Sequence, residues 1–145
     1  KMYTELDETI QIGEPQILQE GSEVVIFACG MTVEIALEAA SEINKKYNHK
    51  LSVVNVFCLK PVNETSFAEI INKHKHIISI ENHNVIGGLG SILSDIIATK
   101  GLNTQLTKLG VQDTFAEGAE TDYLFKKYGI SSEAIIKIYK NLKKK

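Results

Sequence analysis

The sequence has no arginine and no tryptophan; all sixteen basic residues are lysine. Without a guanidinium it cannot build the bidentate fork on which many phosphate and carboxylate sites rely. Cysteine is nearly absent as well. Cys29 and Cys58 lie in apolar, strand-like runs rather than at framework spacings, which fits a reducing, cytoplasmic setting. No apolar stretch approaches the roughly 20 residues that a membrane-spanning helix needs, so no membrane partner is expected. The polar, acidic N-terminal stretch carries no secretory pattern. Nor is there a surplus of positive charge: the formal net charge is -2, which speaks against nucleic acid as a partner.

What is present describes one domain. The 145 residues are 43% hydrophobic and 23% charged, enough for a single core and awkward for two. The sequence begins at Lys1 rather than Met and is expected to be a piece of something longer. Residues 1–20 read as a linker end and an edge hairpin, with short strands at Thr9–Ile12 and Gln16–Gln19 joined through Gly13 and Pro15. Residues 21–145 read as an α/β domain. Val24–Cys29 is a continuous apolar run, the pattern of a strand buried on both faces. Thr32 is placed to cap a helix with Val33, Leu37, Ala40, Ile43 and Tyr47 on its apolar side. Leu51–Leu59 reads as a strand stopped by Pro61, and Asn63 as the cap of a helix carrying Phe67, Ile70 and Ile71. A strand at His76–Ile80 and a helix opening at Gly87–Ser91 follow, then a strand at Thr104–Val111. Thr121 and Ser131 start two last helices, and Lys143–Lys145 reads as a frayed, solvated end. Alternating strands and helices predict a parallel sheet covered on both faces.

Sites in such folds gather at the carboxyl ends of the strands. Cys29 stands at the first of these ends, without a base evident nearby. Lys60 stands at the second, where it can meet an anion or a partner carboxylate. The third end holds the densest polar cluster: Glu81, Asn82, His83 and Asn84, then Gly87, Gly88, Gly90 and Ser91. A carboxylate and an imidazole beside a helix N-terminus can transfer protons or hold an anion, and the glycines allow a backbone or ligand to come close. The dinucleotide fingerprint fails because Leu93 occupies its third glycine position, and no P-loop occurs. The four histidines are scattered and no metal spacing is present. No reaction follows from the residues alone.

Four segments in order resemble the C-terminal domain of transketolases. They are Glu20–Ile26 with Glu38–Ala40; Leu59-Lys60-Pro61-Val62; Glu81–Ser91, which is similar to the family's Glu-x-His…GGLGS turn; and Gly110–Gly118 followed by Leu124–Ile130. The resemblance spans residues 9–142. It implies a three-layer α/β/α sandwich on a mixed five-stranded sheet with one antiparallel strand. It also implies a parent transferase that uses thiamine diphosphate and a divalent metal, Mg or Ca, to move a two-carbon ketol unit between sugar phosphates. In that family the cofactor lies between the two preceding domains, held through a GDG…N motif that this sequence lacks. The chain alone is therefore expected to bind no cofactor and to be inactive.

The resemblance further implies partners: the preceding thiamine-diphosphate-binding domains or an N-terminal subunit, within a homodimeric parent. Lys60, Glu81, His83, Gly87, Gly88, Gly90, Ser91, Asp113 and Glu117 are the candidate interface or anion-site residues, with none assigned to catalysis, cofactor or metal. The glycines are expected to let a partner approach and the charges to pair across the junction. Alternatives are the corresponding domain of a 1-deoxyxylulose-phosphate synthase or of a 2-oxoacid dehydrogenase E1 β-subunit, or a stand-alone regulatory or docking module.

Overall fold

The computed structural model describes residues 10–144. In chain order the elements are β1 (Gln16–Gln19), β2 (Val24–Ala28), α1 (Thr32–Tyr47), β3 (Ser52–Asn55), α2 (Glu64–Asn72), β4 (His76–Asn84), α3 (Leu89–Thr99), β5 (Gln105–Val111), α4 (Thr121–Tyr128) and α5 (Ser132–Leu142). The strands form one sheet in the order β1-β3-β2-β4-β5. β2 pairs in parallel with β3 and β4, and β4 with β5, whereas β1 runs antiparallel against β3. This is the mixed five-stranded sheet that the resemblance implies.

The uninterrupted apolar run of β2 and the largely apolar start of β4 suit them to the interior of the sheet. A strand with neighbours on both edges and helices on both faces must bury successive side chains alternately. Val24, Ile26 and Ala28 point into the layer that contains α1 and α5, with Ile43, Ile135 and Tyr139. Val25 and Phe27 point into the opposite layer, formed by α2 and α3, with Phe67, Leu89 and Leu93. There Phe27 and Phe67 stack with ring centres 5.8 Å apart.

Two helix starts follow their sequence signals. The Asn63 side chain accepts from the amides of Thr65 and Ser66 and caps α2. Ser131 does the same for α5 through the amide of Ala134.

Four expectations need correction. Thr32 does not cap α1; it is the first helical residue after Met31. Its hydroxyl lies 2.9 Å from the Cys29 carbonyl and 2.8 Å from that of Ile80, sharing its proton between them. No strand forms over residues 10–12, where the chain passes into a turn; Thr9 lies outside the described residues. The strand expected over Leu51–Leu59 ends at Asn55: the amide of Val56 makes the last bond to β2, at the Ala28 carbonyl, and the chain then leaves the sheet. Finally, Lys143 is not simply solvated: its ammonium pairs with the Glu23 carboxylate and ties the end of α5 to the start of β2. Lys145 lies outside the described residues.

Candidate functional site

The carboxylate of Glu81 carries the geometry of the β4–α3 connection. The residue is 1% exposed. Its Oε2 accepts from the amide of Leu89 at 2.8 Å and its Oε1 from the amide of Gly90 at 2.9 Å. These are first-turn amides of α3, whose own cap position, Gly88, has no side chain to offer them. A strand residue thus supplies the missing helix cap, and its negative charge sits at the positive end of the helix dipole.

The glycines follow from this. A β-carbon on residue 88 would fall inside the Glu81 carboxylate. One on residue 90 would meet the Lys108 stem at 2.8 Å and Ser79 Oγ at 2.9 Å, and one on Gly110 would lie 2.8 Å from the His83 carbonyl oxygen. At these positions the close approach is made by the chain's own groups rather than across a junction. The remaining turn residues also bond locally. Asn84 Oδ1 accepts from the amide of Ile86, and Ser91 Oγ accepts from that of Gly87. Gly87 has φ +83, the left-handed region that favours glycine. His83 is exposed, with Nδ1 3.0 Å from the Asn84 carbonyl. The amides of Leu89 and Gly90, which an anion would need, are already taken.

The other singled-out residues stand on neighbouring loops. Lys60 is exposed on the loop after β3, at a cis Lys60–Pro61 bond. Asp113 and Glu117 are exposed on the loop after β5. Glu117 pairs with Lys127 of α4 at 2.7 Å, and that hydrogen bond holds its carboxyl below the usual range. Its charge is met within the chain. Burial, aided by the Glu81 charge, pushes the Cys29 thiol up to about 11, far from the thiolate a nucleophile needs.

All these loops lie at the carboxyl ends of the parallel strands. The same rim carries large apolar side chains that face water: Met31 after β2, Phe57 and Leu59 after β3, Ile86 after β4 and Phe115 after β5. Phe115 is fully exposed and Ile86 62% exposed. An open cleft of about 550 Å³ runs along the rim, lined by Cys29, Gly30, Asn55, Phe57, Leu59 and Asn82. The apolar run Leu51–Leu59 places Phe57 and Leu59 in a strand, whereas both lie in the loop after β3. Their position just before Lys60-Pro61, where a ladder must stop, was the available signal.

These residues do not fit a thiamine diphosphate and metal site. The buried carboxylate is consumed by two amides, and among the described residues no three His, Cys, Asp or Glu side chains gather as ligands would. Among the described residues no helix is long and apolar enough to cross a membrane.

A three-layer domain on a mixed five-stranded sheet, with its glycine-rich turn closed over an inward-facing glutamate, is the class defined here. The chain belongs to the transketolase C-terminal domain family, which matches residues 13–135. It is 37% identical over 142 residues to a Methanocaldococcus jannaschii protein named as a transketolase C-terminal section, covering 97% of this chain and 43% of that protein. It is 34% identical over 124 residues to the 1-deoxy-D-xylulose-5-phosphate synthase of Caldanaerobacter subterraneus subsp. tengcongensis, covering 86% of this chain and 20% of the synthase. Among solved structures, an inactive β4 tetramer of a split-gene transketolase superimposes with a TM-score of 0.79 at 30% identity, over 88% of this chain and 41% of that one. The chain therefore spans less than half the length of these relatives.

Proposed function

We propose that this chain is the association domain of a transketolase that moves a two-carbon ketol unit between sugar phosphates. In this reading it works with preceding thiamine-diphosphate-binding domains or with an N-terminal subunit, inside a homodimeric parent in the cytoplasm. Residues 1–20 are the end of the connection to those domains together with the edge strand β1, and residues 21–145 are the rest of the domain. The chain binds neither cofactor nor metal and is inactive alone.

The observation that carries this reading is the apolar rim. Exposed apolar side chains gathered at one end of a sheet favour a protein contact over a solvated surface. Lys60, His83 and Asp113 edge this rim with charge or hydrogen-bonding capacity. Glu81, Gly88, Gly90 and Ser91 shape it from within. The test is reconstitution. The chain is mixed with a protein that carries the two cofactor-binding domains, and ketol transfer and complex size are measured. Activity only in the mixture sustains the reading. A cofactor-binding partner that is fully active without the chain removes it.

The synthase-type domain is the second reading, favoured by the similarity to that enzyme. Assaying the reconstituted complex for both reactions decides between them.

A further inference from the structure

The lysines are distributed unevenly. Residues 126–145 hold seven of the sixteen, with Glu133 as the single acid. Along α5 and the turn that follows it, Lys137, Lys140 and Lys144 recur at steps of three and four. That spacing puts them on one helical face over about 10 Å. They line a groove of about 440 Å³ against the last turn of α1, with Lys46 on the opposite wall and Tyr47, Ile43 and Ile136 beneath. The Lys46 ammonium lies 5.9 Å from the centre of the Tyr47 ring.

The charges of this groove are largely unspent. Among the described residues Lys100, Lys127 and Lys143 each have a carboxylate within ion-pair distance, and Lys137, Lys140 and Lys144 have none. Two acids share the groove, Glu42 and Glu133. Glu133 is in the first turn of α5, where a hydrogen bond with Ser131 and its own amide hold its carboxyl below the usual range. That carboxylate is ionised at neutral pH, so Glu42 and Glu133 both oppose Lys46, Lys137, Lys140 and Lys144, and the groove keeps a net positive charge. An ammonium is a hydrated point charge without the geometric fork of arginine. A lysine-only site therefore selects by the number of charges on its ligand. A monoanion gains little from it, and a small ligand carrying several charges in a row gains at each lysine. The volume suits a small molecule.

We propose that the α1–α5 groove binds a small polyphosphorylated anion, with its phosphates along Lys137, Lys140 and Lys144 and any ring it carries against Tyr47. This site lies on a helical layer, away from the carboxyl rim, and is independent of the reading given above.

NMR titration of the 145-residue chain with tripolyphosphate tests it. The expected result is saturable shifts confined to α5 and the last turn of α1, with Kd below about 1 mM at about 0.15 M salt. Lys137→Gln with Lys140→Gln should weaken binding about tenfold, and Lys100→Gln should leave it unchanged. ATP forms a second arm. Tighter binding than tripolyphosphate with movement of the Tyr47 ring signals identifies a nucleotide, and equal binding identifies the phosphate chain alone; either sustains the proposal. Shifts that stay linear and match those from sulfate at equal ionic strength overturn it. So does binding that ignores the double substitution. Binding of an oligoglutamate peptide without binding of tripolyphosphate overturns it in favour of an acidic polypeptide.

Discussion

Gly88 and Glu81 compete for one volume: the absence of a side chain at residue 88 is what lets the Glu81 carboxylate reach the first amides of α3. The turn, the helix start and the end of β4 depend on that one arrangement.

Glu81→Gln should lower stability by about 1–3 kcal/mol. The amide keeps one acceptor, and its NH₂ then faces a second N–H donor in a buried place. Urea unfolding followed by circular dichroism measures this. An unchanged midpoint would show that the cap contributes nothing.

Glycine substitutions should divide by surroundings rather than by composition. Gly88→Ala forces the Glu81 carboxylate aside and should cost about 1–3 kcal/mol. Gly118→Ala meets nothing within 4 Å and should stay within about 0.5 kcal/mol of the parent. Equal effects in thermal unfolding would contradict the packing described for residue 88.

Cys29 should resist alkylation near pH 8 and react once the chain is unfolded. Burial, with the Glu81 charge, pushes its thiol up to about 11 in the fold, from an ordinary value of 9.0. Between those values the folded state holds the proton and the unfolded state has released it, so stability falls as pH rises through this window. Timed alkylation with mass spectrometry, in native buffer and in urea, checks the first point. Rapid labelling of folded Cys29 at pH 8 would refute it.

The attachment of α5 should be acid-sensitive. The Glu23 carboxyl is held low first by its hydrogen bond with Lys143 and by that charge, with His49 adding a smaller share. A lowered carboxylate stabilises above its ordinary range, and the gain disappears as pH falls through its folded value. The protection of α5 amides, measured against their intrinsic exchange rate at each pH, should fall below about pH 4.5. Glu23→Gln should show the lower protection already at neutral pH.

At the rim, Phe115→Asp and Ile86→Asp should abolish reconstitution with a cofactor-binding partner and leave the melting temperature within error, since both side chains face water. Gel filtration of the mixtures, with melting curves of each variant, separates contact loss from unfolding.

The pattern of apolar residues was sufficient for β2, for the Ile77–Ile80 part of β4 and for the two capped helices, because strands buried on both faces are predominantly apolar and Asn63 and Ser131 act on amides two or three residues away. It failed where a group acts at a distance. Thr32 looked like a cap because its hydroxyl's second partner, the Ile80 carbonyl, is 48 residues away. Glu81 reads as a group free to transfer protons or hold an anion because the amides that satisfy it lie eight and nine residues downstream. The uncapped glycine at the start of α3 was the local sign that an acceptor had to come from elsewhere. Phe57 and Leu59 show a different limit: a hydrophobic run does not say whether its face meets a core or a partner.

The direction of β1 has a mechanical consequence. Because it runs against its one neighbour, β3, Gln16 stands beside Asn55, at the carboxyl end of that strand. The chain therefore enters the sheet from the rim. Its bonds to β3 lie across the strand direction, so a pull along β1 loads them together in shear rather than one after another. Force arriving from upstream would be shared across the β1–β3 ladder before it reached β2 or β4.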